Sequence, residues 1–193
     1  FFLFYLLLPL QAYLIRCRRI TLHRTLGLLS IGLAVAMVGT GMIVIGVQMN
    51  LSLKPDGSPF WQGMGPAVFS TLILFVVYYA RSVLARRDRE QHRRLMLLAS
   101  AGGMGAAGFR VMSQILGFTV AAGVSGILVP NIFVVAAMVM DRRDGRRIHP
   151  LYRTGLPVSV GLELAAFAIT PTPVGHALAE ALGWVGRVMA PLY

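Results

Sequence analysis

LGLLSIGLAVAMVGTGMIVIGVQ, residues 26–48, runs for 23 residues without a charge. A helix rises 1.5 Å per residue, so this stretch reaches about 34 Å. That is enough to cross roughly 30 Å of hydrocarbon. A soluble domain has no use for such a run. Working outward, similar runs recur on both sides, at residues 1–15, 64–84, 95–114, 121–140 and 156–174. Composition agrees: 56% of the 193 residues are hydrophobic and 13% charged, against about 25% charged in soluble domains. The expected fold is all-α: one polytopic transmembrane bundle of about six helices over residues 1–193.

The charges are ordered. The net charge is +11, and 15 of the 17 arginines fall in three clusters between apolar runs. These are Arg16 to Arg24, Arg81 to Arg94 and Arg142 to Arg153. They follow segments one, three and five, so a chain that crosses at every segment puts all three on one face. Positive loops stay cytoplasmic, which points to a bacterial inner membrane with the 49–63 loop outside. Anionic lipid head groups are the natural partners of such loops. Arginines confined to turns between spans argue against nucleic acid.

Residues 1–15 read as a first span entered part-way, with the natural start upstream. Cys17 stands alone, which excludes an intrachain disulfide. Pro171-Thr172-Pro173 breaks the last segment. The expectation there is a short crossing followed by an interfacial helix at 175–190. His23-Arg24-Thr25-Leu26 and His92-Arg93-Arg94-Leu95 echo each other, with a fainter copy at His149, as three helical hairpins would produce.

Three histidines, His23, His92 and His149, open segments two, four and six at similar depth. Two of them could ligate a b-type haem, or all three a metal together with Asp141. The plainer role is anchoring at the interface. Asp141 and Asp144 sit beside Arg143 and Arg146, as an ion-paired turn would. Glu163, six or seven residues into segment six, is a lone carboxylate among apolar neighbours. Arg110 lies about 15 residues into segment four, near the outer end, from which it can snorkel to the interface. Ionisable groups at such positions are functional candidates. His176 and Glu180 share a helix face but lack further ligands nearby.

Gly103 to Gly108 spells a dinucleotide fingerprint without the strand that the motif needs. Its glycines, like Gly32, Gly39 and Gly46, suit close helix crossings instead. Asn50-Leu51-Ser52 is a glycosylation triplet without meaning in a bacterium. Phosphate-loop, zinc-protease and serine-hydrolase motifs are absent from the sequence.

The segment Gln91-His92-Arg93-Arg94-Leu95-Met96-Leu97-Leu98-Ala99, with Arg110 and Asp141 to Pro150, resembles a group of uncharacterised multi-spanning inner-membrane proteins of Gram-negative bacteria. In that group HRxLG, H[KR]RLM and D-x-R-x-x-G-R-x-H-P segments recur. The likeness covers most of residues 20–155 and implies no particular activity. The chain departs from it at Gly145, one place earlier than the group's glycine, where Arg146 stands. The sequence alone favours a non-catalytic accessory subunit packing against other membrane-protein subunits. A small b-haem electron-transfer protein and a proton-coupled transporter built on Glu163 and Arg110 are the alternatives.

Overall fold

The computed structural model describes residues 1–190, apart from the side chains of residues 59 and 63. Those residues are overwhelmingly helical: α1 Phe2–Arg16, α2 Ile20–Ser52, α3 Pro59–Leu84, α4 Arg89–Gly103, α5 Gly105–Leu116, α6 Val120–Leu128, α7 Ile132–Arg143, α8 Pro150–Ile169 and α9 Pro173–Met189. Three stretches are each long and apolar enough to cross a membrane: Ile20–Ser52, Phe60–Leu84 and Val120–Arg143. Two bent pairs qualify when each is counted as one span, α4 with α5 at 44° and α8 with α9 at 96°. The chain has the helices of an integral membrane protein. The expected six even spans become three whole helices, two bent pairs and the shorter α1.

Local chemistry sets the boundaries. Asp88 caps α4, accepting from the Glu90 and Gln91 amides at 3.0 and 3.1 Å. Thr119 and Thr172 cap α6 and α9. Pro150 and Pro173 each occupy a first helical position, where the missing N–H is no loss. As a result α8 begins at Pro150, six residues before the apolar run suggested. Likewise α2 begins at Ile20 and takes in His23 and Arg24, because a helix need not end where the hydrocarbon does. Gly145, with φ +71°, closes α7. Its amide bonds Arg142 O at 3.0 Å and the Arg146 amide bonds Asp141 O at 2.8 Å, the paired geometry of a Schellman end. Arg18, at φ 56°, closes α1 through the same two bonds to Ile15 and Leu14.

The chain divides into two compact units, Phe1–Ile43 and the remainder from Val44. In the first, the Gln11 amide, oriented to satisfy both its ends, donates to His23 Nδ1 and to the His23 carbonyl, tying α1 to α2. A Cβ added at Gly32 or Gly39 would meet nothing. Within this unit, among the described residues, no helix makes the close crossing expected at these two glycines.

In the second unit α3 packs along α4, and α5 along α6. Here glycine does bring backbones together. A Cβ at Gly126 would fall 2.6 Å from Phe109 N, and one at Gly108 would strike Gly126 O. Gly46 and Gly186 meet in the same way between α2 and α9. The core here is Met64, Ala67, Phe109, Ala122, Ile127 and Ala166. Phe60 stacks on Phe109, and Trp61 and Phe118 meet it edge-on, with ring centroids 5.6 to 6.2 Å away.

Candidate functional site

The buried residues of α8 are Tyr152, Gly155, Ser159, Glu163 and Ala166. Steps of three and four place them on one helical stripe. Val158, Leu162 and Leu164 on the other faces are exposed. A helix of a soluble domain hides its apolar stripe and shows its polar one. Helix α8 does the reverse, as a helix with a lipid-facing exterior does.

Glu163 lies deepest in chemical terms, with 1% of its surface exposed. Its Oε2 accepts from Asn131 Nδ2 at 2.9 Å. Its Oε1 is buried and has no partner among the described residues. Among the described residues no arginine, lysine or histidine forms an ion pair with the carboxyl. Asn131 ends the 3-10 turn Val129–Asn131, which separates α6 from α7. Pro130 supplies the cause of that interruption, since it cannot donate to the preceding turn. The sequence reading of one segment at 121–140 agrees with the single span Val120–Arg143, which runs through this short turn. The buried carboxylate thus faces the 3-10 turn between α6 and α7, where a side-chain amide is held against it.

One turn from Glu163 toward the N-terminus of α8, Ser159 Oγ donates to the Tyr78 hydroxyl at 3.4 Å. Tyr78 in turn donates to Gly155 O at 3.0 Å. Leu98 fills the space beside Gly155, where a Cβ would lie 2.6 Å from it.

At the start of α8 stands an ionic cluster. Arg94, 3% exposed, directs Nη2 to Asp141 Oδ1 and Oδ2 at 3.2 and 3.3 Å. Its Nη1 pairs with Glu90, and its guanidinium carbon lies 5.5 Å from the centre of the Tyr152 ring. The expected pairing of Asp141 with the loop arginines is corrected: its partner is Arg94, 47 residues away. A turn that points Arg143 outward leaves Asp141 facing inward on α7. In the loop after α7, Asp144 pairs with Arg146 at 4.0 Å, both exposed.

The histidines serve helix ends. His92 Nδ1 lies 2.9 Å from Ser82 O and 3.0 Å from Ser82 Oγ, fastening α3 to α4. His149 Nδ1 caps α8, accepting from the Leu151 amide at 3.2 Å. His23 holds the same position in α2 as His92 in α4, its amide bonded to Arg19 O. Each of the three has its Nδ1 engaged, which leaves Nε2 as the atom any haem iron would need. No group of three or more His, Cys, Asp or Glu is placed to hold a metal ion among the described residues. Arg110 is exposed on α5 and makes no ion pair among the described residues. It does not join Glu163. His176 and Glu180 are exposed on α9. His176 borders a cavity of about 130 Å³ at the α8–α9 bend, with Gln62 and Thr170.

The chain matches no protein-family profile, no curated protein and no solved structure. Its function has to be read from the site alone. Asn131, Tyr78, Ser159 and Arg94 carried no signal of their own in the sequence. Pro130 was the one mark of the break.

Proposed function

We infer that this is a multi-pass protein of a bacterial inner membrane, with its arginine loops cytoplasmic, in which Glu163 takes up and releases a proton as the coupling group of a carrier. The observation that supports the reading is the Glu163 carboxyl itself. It is fully buried, bonded by one oxygen to Asn131 in the 3-10 turn between α6 and α7, and without a partner among the described residues at the other oxygen. A charge there lacks a counter-ion among the described residues and is expensive in a lipid-surrounded interior. Proton uptake removes that charge. The test is reconstitution into vesicles loaded with a pH-sensitive dye. An imposed gradient of transported solute should move protons in the native protein and none in Glu163→Gln. Equal proton movement in the two proteins would overturn the reading.

The accessory-subunit reading draws on a different observation. Gly32 and Gly39 lie open on α2, and small residues are where membrane helices meet partners. Gly39→Leu should then lose co-purifying membrane subunits while leaving the isolated chain folded.

A further inference from the structure

Glu163 is sealed from both lipid and water, so a proton needs a path to it. We propose that the proton reaches Glu163 along the buried stripe of α8, from the Arg94–Asp141 end, through Tyr78 and Ser159. The inference rests on the reading of Glu163 as a proton-exchanging group.

The stripe joins two regions that the chain could have kept apart. At its start, Arg94, Asp141 and Tyr152 form a polar cluster where α4, α7 and α8 have their ends. Glu90 of that cluster is exposed, with its side chain 55% accessible, and so connects it to water. One turn further in, the Tyr78 hydroxyl bonds Gly155 O at 3.0 Å and receives Ser159 Oγ at 3.4 Å. Ser159 precedes Glu163 by four residues, about 6 Å along the axis. One water spans such a gap. Tyr78, Ser159 and Glu163 are all buried. Two hydroxyls in an apolar interior are needed by neither helix, since Phe and Ala would fill the same space.

Hydroxyls both donate and accept, and they turn freely about their C–O bonds. In the resting arrangement Ser159 donates toward Tyr78, and Tyr78 toward Gly155 O. For inward transfer the two rotate. Tyr78 takes a proton from the water side and passes its own to Ser159, Ser159 passes its own to the bridging water, and that water gives one of its protons to Glu163 Oε1 in the same movement. Neither hydroxyl carries a net charge at the end. The added proton sits on the carboxyl, and water at the cluster has lost one. Asn131 remains on Oε2 throughout, which leaves Oε1 as the accepting oxygen. Ser159 and Tyr78 are thus positioning residues for the proton.

Infrared spectroscopy of the protein in bilayers tests this. After a downward pH jump, the protonated-carboxyl band of Glu163, identified by its loss in Glu163→Gln, should grow with time. Ser159→Ala and Tyr78→Phe should slow its growth by at least about tenfold with the final amplitude unchanged. Ser159→Thr, which keeps the hydroxyl, should restore the native rate. A merely structural role would alter amplitude or folding and would not be rescued by threonine. Equal rates in native protein and Ser159→Ala would overturn the route and leave Glu163 exchange standing. A spectrum lacking any band removed by Glu163→Gln would overturn the proton-exchange reading beneath it.

Discussion

Replacing Asp141 by alanine should destabilise the protein by about 3 kcal/mol. The Arg94 side chain is 4% exposed and that of Asp141 9%, so neither charge has water to fall back on. Removing one partner of a buried pair typically costs about 3–5 kcal/mol, because the other charge stays behind unpaired. Arg94 keeps Glu90 on Nη1 and the Tyr152 ring beneath it. Glu90 is more than half exposed, and a pair of that kind contributes only about 0–1 kcal/mol. The expected loss therefore sits at the lower end of the range. Arg94→Met should cost a similar amount by stranding Asp141. The double variant Arg94→Met with Asp141→Leu should be no worse than either single change, since it removes both charges. Denaturant unfolding of the detergent-solubilised protein, followed by helical circular dichroism, measures all three. A loss below about 1 kcal/mol in Asp141→Ala, or a double variant equal to the sum of the singles, would refute the pairing as a buried, coupled interaction.

Four other outcomes follow from particular geometries. Gly126→Ala places a Cβ against the Phe109 backbone and should lower stability by about 1–3 kcal/mol. Gly39→Ala, with open space around it, should be neutral or raise stability by up to about 1 kcal/mol in the same unfolding assay. Arg18→Gly relieves a left-handed arginine at φ 56° and should raise stability by about 0.5–1 kcal/mol, read as a shift in the denaturation midpoint. Burial and the nearby Arg94 guanidinium hold His149 below its ordinary 6.5, with Asp141 and Asp88 pulling more weakly the other way. The unfolded chain then takes the proton first as pH falls. Stability should be intact above about 6.5 and decline as the pH drops through that value toward the folded one. His149→Asn, which keeps a cap but does not titrate, should flatten that portion of the pH profile.

The apolar runs made α2, α3 and the overall helical class legible, because a stretch without charge has few other fates. Capping residues emerge only in the fold: His149 acts as a cap where the sequence suggested an interface anchor or a ligand. Helix interruptions were harder. The joint at Met104 has only a small change of backbone angle and glycines on both sides. Glycines suit a crossing as well as a break. The 96° bend was foreshadowed by Pro171 and Pro173, whereas Pro130 sat unremarked inside an apolar run. Glu163 stood out because a carboxylate is conspicuous among leucines. Its partner did not, since nothing local distinguishes Asn131, 32 residues away, from any other amide. Arg94 and Asp141 illustrate the same limit. Each had a nearer opposite charge in the chain, and only the folded packing of α4 against α7 selects the distant one.

The jointed helices have a mechanical consequence. Helices α5 and α6 meet at backbone distance through Gly108 and Gly126, and the Gly117 turn closes their tip. The Met104 break stands 13 residues before that turn and Val129 stands 12 after it. Two legs of nearly equal length, seamed together at backbone distance, make one hairpin whose second leg runs into Asn131, so a change that parts the seam would reach the amide that grips Glu163.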